Sequence, residues 1–255
     1  MLTSRKILLS LYQNTMKKII PVCFLLIGSL TSMAQDTNPK KEKERVDLSN
    51  RPNDHFMLQF GYANWTGLPD TINKQGFSKS LNVYFMFDFP FKTNPKLSIA
   101  IGPGISTDHI VFSKTHIGLK ETTTLLPFTN VSDTNHYKKN KLATAYLEAP
   151  IEFRYTTNPA NGTGFKWAVG LKVGTLLSAH TRNTKYENKN GTSISNATMK
   201  ESSKRFFNKS RISVTGRVGL GHISLFGSYS LTPLIRDGAG PIVKPYTIGL
   251  CLSGL

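Results

Sequence analysis

The stretch YLEAPIEFRY, residues 146–155, places two carboxylates and a guanidinium where they could do chemistry. Successive side chains of a strand point to opposite sides, so Glu148, Glu152 and Arg154 would share one face. Two carboxylates on one face could serve as general acid and general base. Carboxylates beside arginine can also neutralise it, and on an enclosed face they must, because an unpaired buried charge is very costly. These residues alone leave both interpretations open.

The other candidate residues follow no catalytic or metal-binding pattern. The sequence has six histidines but no HExxH, CxxC or calcium-loop spacing. It has no GxSxG context for a nucleophilic serine. The Gly-rich stretches GPGIS (102–106) and GAGP (238–241) lack the lysine and the helix of a phosphate-binding loop. The pattern therefore predicts no metal, no cofactor and no enzymatic activity.

The N-terminal segment indicates export. The stretch MKKIIPVCFLLIGSLTSMAQ (16–35) has two lysines, then an apolar run to about Leu30, then small residues before Gln35. This is the pattern of a cleaved secretory signal peptide, and the apolar run is short for a transmembrane helix. We expect residues 1–34 to be removed, with Met16 as the true start. Residues 35–53 are expected to form a flexible, charged periplasmic segment.

Charge and cysteine content narrow the class further. The chain has 32 Lys and Arg against 15 Asp and Glu, a net charge of +17. Such a charge suits nucleic acid or an anionic membrane surface, but an exported chain seldom meets DNA, so we expect no nucleic-acid partner. After the signal peptide only Cys251 remains, so no internal disulfide can stabilise the protein. A closed, hydrogen-bonded barrel is another source of stability.

Apolar residues alternate with other residues along eight stretches of the chain, as in half-buried strands. The opposite faces of the same stretches are small, polar or charged, so none resembles the central strand of a two-layer sandwich. The eight stretches are 56–62, 81–89, 97–105, 147–155, 165–177, 212–220, 223–231 and 246–252.

The connections between these stretches alternate in length. Those at about 63–79, 114–141, 181–209 and 232–244 are long, whereas those at 90–95, 157–164 and 219–221 are short. Long loops at one end and short turns at the other are typical of a transmembrane barrel. The sequence therefore predicts an all-β fold: an eight-stranded antiparallel transmembrane β-barrel, an up-and-down meander over residues 54–255, in the outer membrane.

This fold decides which side of YLEAPIEFRY is inside. The aromatic side would face lipid and the charged side the lumen, which in eight strands is just wide enough to be filled by side chains. Inward glycines would make room for long side chains, and Pro150, which has no N–H, would mark a local irregularity. The predicted lumenal charge network is Glu148, Glu152, Arg154, Lys172, Arg211 and Arg217.

Aromatic residues near the strand ends suggest two girdles at the lipid headgroups. With a periplasmic N-terminus, one group falls at the periplasmic end and the other toward the outer end. The predicted lipid-interface aromatics are Phe56, Trp65, Phe89, Tyr155, Trp167, Tyr229 and Tyr246.

The strand AYLEAPIEFRY (145–155) resembles the "YLEIPLLLKY" strand of the Bacteroidetes-type outer-membrane β-barrels, the PorT-like group. The last strand, YTIGLCLSGL, is similar in style, and the resemblance covers roughly residues 54–255. It implies an outer-membrane barrel, and for some members of the group it implies a link to the assembly of a protein-secretion system.

Basic residues concentrate in the third and fifth connections, where they could pair with lipopolysaccharide phosphates; plain solvated loops are the alternative. The candidates for lipopolysaccharide binding are Lys114, Lys138, Lys139, Arg182, Lys204 and Arg205.

Taken alone, the sequence favours a non-enzymatic outer-membrane barrel with a structural or interaction role in the cell envelope, linked to protein secretion or envelope biogenesis. The expected partners are outer-membrane lipid, lipopolysaccharide, and envelope or secretion proteins. The alternatives are an outer-membrane enzyme acting on lipid, a small pore or solute carrier, and a soluble periplasmic barrel whose aromatic face lines a ligand cavity.

Overall fold

The computed structural model describes residues 56–69, 72, 76–160 and 162–254. The predicted signal peptide (1–34) and periplasmic segment (35–53) lie outside these residues. Within the described part of the chain, no helix is long and apolar enough to cross a membrane.

The described residues form thirteen strands. They are β1 (Phe56–Thr66), β2 (Lys79–Phe85), β3 (Phe87–Pro90), β4 (Leu97–Ile101), β5 (Gly104–Phe112), β6 (Thr115–Ile117), β7 (Phe128–Asn130), β8 (His136–Thr156), β9 (Phe165–Glu187), β10 (Ser193–Ser202), β11 (Ser210–Leu220), β12 (Ile223–Ser230) and β13 (Lys244–Ser253).

Eight of these strands pair in a ring. The neighbours run β1, β2, β5, β8, β9, β11, β12 and β13, every pair is antiparallel, and β13 returns to β1. The short strands β3 and β4 continue β2 and β5 past a break, and β4 also pairs with β8. The predicted eight-stranded up-and-down β-barrel is therefore confirmed.

Alternation along each strand separates the inside of the barrel from the outside. On β1, Phe60 is 51% exposed, whereas its neighbour Gln59 is 1% exposed. On β8, Ile151 is exposed and Glu152 is buried. The apolar face of the strands points outward and the polar face inward, as a lipid-embedded barrel requires.

Pro150 lies beside the break between β4 and β5. Its register with β9 runs on undisturbed through Pro150↔Lys172. On the other side, β4 ends at Ile101, opposite Ile151, and β5 begins at Gly104, opposite Glu148. Pro150 has no backbone N–H to donate to its neighbour on this side, and the neighbour is interrupted at the same point. A proline is tolerated in a sheet at such an irregularity.

The long connections lie at one end of the barrel, called here the cap end, and the short ones lie at the other, the turn end. The cap end is more ordered than the sequence suggested, because the expected loops at 114–141 and 181–209 contain β6, β7 and β10 and the ends of β8 and β9. An apolar cluster joins these connections and includes Ile117, Leu126, Phe206, Phe207 and Ile235. The Leu126 N–H donates to the Ala239 carbonyl at 2.7 Å, so the third and seventh connections are tied together.

Two inward glycines of β9 lie directly opposite the glutamates of β8. Gly170 pairs with Glu152 and Gly174 with Glu148. A Cβ on Gly170 would collide with the Ile151 carbonyl oxygen and with the Glu152 Cα. The missing side chains thus give the two carboxylates their space in the lumen.

Replacing Gly170 by alanine should lower the free energy of unfolding by about 1–3 kcal/mol, because the added methyl group presses on the backbone of β8. The matched control is Gly227→Ala, where an added Cβ meets no atom within 4 Å. We expect the control to change stability by less than about 0.5 kcal/mol. Urea unfolding in lipid vesicles measures both variants, and equal losses would contradict the close approach of β8 and β9.

Candidate functional site: the barrel interior and the cap-end sheet

Arg211 on β11 is the centre of the larger charge cluster in the lumen. Its Nη1 lies 2.7 Å from the Asp108 carboxylate, and its Nη2 lies 2.6 Å from Glu148 Oε1. Its Nη2 also donates to the Ser106 hydroxyl at 2.8 Å. The guanidinium lies over the Tyr146 ring, 3.9 Å from the centroid. One arginine therefore holds β5, β8 and β11 together across the lumen.

Tyr84 extends this cluster to β2 and β9. Its hydroxyl donates to Glu148 Oε2 at 2.6 Å and accepts from Lys172 Nζ at 3.5 Å. Lys172 Nζ also lies 3.9 Å from Glu148 Oε2. Both carboxylate oxygens of Glu148 are therefore engaged, as a buried carboxylate requires.

A second cluster, nearer the turn end, is built on Glu152. Glu152 Oε2 accepts from Arg154 Nε at 2.9 Å and from Arg217 Nε at 3.2 Å. Arg154 Nη1 lies 3.7 Å from Asp88 Oδ1, and Arg217 Nη1 donates to the Ser253 hydroxyl at 3.1 Å. Glu148 and Glu152 are four residues apart on one strand, roughly 13 Å, and each is held by arginine. The arrangement serves charge pairing rather than acid–base work on a shared substrate.

All six side chains expected in the lumenal network are buried and belong to these two clusters. Sequence reasoning missed Asp108, Ser106 and Tyr84 as members. In β5 every second side chain after Gly104 points inward, including Ser106 and Asp108. Extending this alternation by four residues beyond Gly104 would have predicted both. The contact of Tyr84 with Glu148 depends on the curvature of the ring, which one strand does not show.

Little space remains between these side chains. A cavity lined by Asp108, Lys172 and Arg211 has a volume of about 10 Å³, near the minimum for one water molecule. Another, beside Asp88, Arg154 and Arg217, measures about 30 Å³. Within the described residues, the lumen is a packed core in which these polar side chains lie beside a small apolar cluster of Met57, Tyr84, Met86, Ala100, Phe226 and Cys251.

The expected lipid-interface aromatics divide into those on the outer wall and Trp65, which is buried. Phe56, Phe89 and Tyr229 are exposed on the outer wall. Tyr155 stacks on Trp167 at a centroid distance of 5.9 Å, and Tyr229 pairs in register with Tyr246.

The expectation for Trp65 was wrong. It is 4% exposed and lies in the apolar cluster of the cap end, 5.5 Å from the Phe112 ring centroid. The reason is parity, because Phe56, Phe60 and Tyr62 face outward on β1 and Trp65 is an odd number of residues from each. Trp65 lies near the end of β1, as a girdle residue would, but on the inward side of the strand.

The lipopolysaccharide candidates are exposed but scattered. Lys139 and Arg182 lie on the outer face of β8 and β9, and Lys138 pairs with Glu187 at 3.2 Å. Arg205 donates to the Thr123 carbonyl at 3.1 Å. All six are exposed, and they do not form one cluster: Lys114, Lys138, Lys139, Arg182, Lys204 and Arg205.

At the cap end, β8, β9 and β10 form a three-stranded sheet beyond the barrel. β9 pairs with β8 through Glu187 and with β10 from His180 to Glu187. β10 has no second neighbour within the described chain, because it stands at the end of the sheet order. Nearly all of its residues are exposed, so this strand presents a free edge.

The described residues contain no group of three or more His, Cys, Asp or Glu side chains that could hold a metal ion. The engaged interior and the free edge of β10 are two features that bear on function.

Replacing Arg211 by methionine should lower the free energy of unfolding by about 3–5 kcal/mol, because it leaves the buried Asp108 and Glu148 without their guanidinium. Lys189→Met, at an exposed position, is the control and should cost less than about 0.5 kcal/mol. Adding Asp108→Asn and Glu148→Gln to Arg211→Met should recover part of the loss in the same urea titration. A loss no larger than that of Lys189→Met would contradict a fixed lumenal network.

Two solved structures of Ail, the attachment invasion locus protein of Yersinia pestis, are similar to the chain. The one in complex with the heparin analogue sucrose octasulfate shows a TM-score of 0.33 and 12% identity, over 78% of this chain and 96% of that chain. The other shows a TM-score of 0.32 and 13% identity, over 78% and 95%. At these scores the likeness carries no argument about function.

No curated protein matches the sequence. The family model described as outer membrane protein beta-barrel domain matches residues 33–236, which is most of the chain and includes every ring strand except β13. With its closed ring of eight strands, apolar outer wall and charged, packed lumen, this chain belongs to the outer-membrane β-barrel domain family.

Proposed function

We propose that this protein is a non-enzymatic interaction protein of the outer membrane, with the barrel as a rigid anchor and the β8–β9–β10 sheet as its binding surface. The free edge of β10 is the observation that carries the proposal. An exposed edge offers unpaired N–H and C=O groups to an extended segment of another protein, which binds by adding a strand.

The hydrogen-bond pattern between β9 and β10 shows which backbone N–H groups of β10 point to its free edge. The Ser203 N–H donates to the Ala179 carbonyl at 3.1 Å, and these two residues are directly opposite. Hydrogen-bonded and non-hydrogen-bonded pairs alternate along an antiparallel ladder. Met199 and Glu201 therefore bond to β9, and the N–H groups of Thr198, Lys200 and Ser202 point to the free edge.

The side chains of β10 also favour docking. Ile194 is 53% exposed and Met199 is 42% exposed, although both lie within β10. Natural edge strands are commonly protected by charges, prolines or a covering segment. β10 has no proline and carries two charged residues, Lys200 and Glu201, of which Glu201 is buried and accepts from the Leu119 N–H.

The cap end is proposed to face the cell exterior, because long connections of outer-membrane barrels lie outside and short turns lie in the periplasm. The proposed partners are an envelope or secretion protein at β10 and lipopolysaccharide around the barrel. A role in envelope biogenesis or secretion is supported by the resemblance of 145–155 to the PorT-like strand.

The packed interior of the barrel disfavours a pore. The arginine–glutamate clusters leave cavities of about 10 and 30 Å³, and the apolar cluster of the cap end lies above them. A solute would have to break buried ion pairs to pass, which is costly.

Hydrogen exchange in isolated outer membranes, compared with purified protein in detergent micelles, tests the edge directly. The amides of Thr198, Lys200 and Ser202 should exchange at least tenfold more slowly in the native membrane, where the partner is present. The amides of Met199 and Glu201 are the internal control, because they are bonded to β9 in both samples. Equal exchange of the edge amides in the two samples would contradict strand addition at β10.

A further inference from the structure

A row of cations lies on the outer wall where its apolar band ends toward the cap. On β2 the outward side chain after Leu81 is Lys79, and on β8 the outward series Leu147, Ala145, Ala143 continues with Lys141 and Lys139. The register places the corresponding outward positions of the neighbouring strands beside them. We call this set the basic rim: Lys79, His109, Lys139, Lys141, His180, Arg182 and Lys200.

Three cations of the basic rim are directly opposed across strands. Lys141 pairs in register with Arg182, and Arg182 pairs with Lys200. Such partners have Cα atoms about 4.5–5.5 Å apart, and like charges in that position destabilise a sheet. An anion bound between them would relieve this repulsion.

The chain does not supply that anion within its described residues. No ion pair there involves Lys79, Lys139, Lys141, Arg182 or Lys200. The two nearest carboxylates on these strands point inward, where Asp108 binds Arg211 and Glu201 accepts from the Leu119 N–H. Among the described residues, the rim therefore holds an excess of positive charge that no carboxylate compensates.

A groove of about 610 Å³ connects the rim with the apolar wall. It is lined by the apolar side chains of Phe60, Phe77 and Leu81 and by the cations Lys79, Lys139 and Lys141. An anion alone would make no use of the apolar side chains of the groove, and a hydrocarbon alone would make no use of its lysines. The lining fits a molecule that is both, an acyl chain joined to a phosphate.

We propose that the basic rim binds the phosphate of a phosphorylated outer-leaflet lipid whose acyl chain lies along Phe60 and Leu81. This rests on the proposed function, since it requires the cap end to face the outer leaflet. It also relocates the lipopolysaccharide site, because only Lys139 and Arg182 of the six sequence candidates belong to the rim. Charge-assisted hydrogen bonds from lysine and arginine to phosphate supply the affinity.

Native mass spectrometry of the full chain in detergent micelles, titrated with diphosphorylated lipid A or with phosphatidylcholine, tests the site. Wild-type protein should bind lipid A at least tenfold more tightly than phosphatidylcholine. The variant Lys79→Gln, Lys141→Gln, Arg182→Gln should lose at least tenfold in lipid A affinity. The control Lys114→Gln, Lys138→Gln, Lys204→Gln removes the same charge and should stay within twofold of wild type.

Equal losses in the two triple variants would overturn the site, because binding would then follow net charge alone. Lipid A binding no tighter than that of phosphatidylcholine would also overturn it. Displacement of lipid A by millimolar inorganic phosphate would show a site for free phosphate and overturn the lipid assignment. The exchange of the β10 amides does not depend on these variants, so failure of the rim and failure of the proposed function are separable.

Discussion

The closed ring of backbone hydrogen bonds is the constraint on which the rest of this structure depends. In hydrocarbon every backbone N–H and C=O must be paired within the protein, and the return of β13 to β1 gives each of the eight ring strands two neighbours. Closure with eight strands gives an interior only wide enough for side chains. The charged faces of the strands are thereby enclosed, and their charges must pair with one another.

The pairing explains why the charges are where they are. Arg211 reaches Asp108 and Glu148, and Glu152 is shared by Arg154 and Arg217. Glycines opposite the two glutamates provide the space. At the cap end, β10 is not part of the closed ring and keeps one unpaired edge. Outside hydrocarbon, backbone groups do not have to be paired within the protein. The same backbone rule thus gives a sealed anchor in the membrane and a free strand edge outside it.

Most of the barrel was predictable because it depends on local patterns. The alternation of apolar residues predicted the strands, and the lengths of the connections predicted the two ends of the barrel. The polar face of the strands predicted the six charged side chains in the lumen. The cap end was not predictable in this way, since Phe206, Leu126 and Ile235 lie far apart in sequence and meet only through the fold. Trp65 could have been placed correctly from its parity. The basic rim depends on the register between β2, β5, β8, β9 and β10, and a single sequence does not contain that register.

The two tryptophans allow the central claim, that the apolar face is the lipid face, to be tested most directly. Trp167 lies on the outer wall beside Tyr155, whereas Trp65 is buried in the cap end against Phe112. We would measure fluorescence quenching by brominated lipids in vesicles for Trp65→Phe, which retains Trp167, and for Trp167→Phe, which retains Trp65. The account predicts strong quenching of Trp167 and almost none of Trp65. Quenching of Trp65 with protection of Trp167 would mean that the strands face the other way, and the account would be wrong.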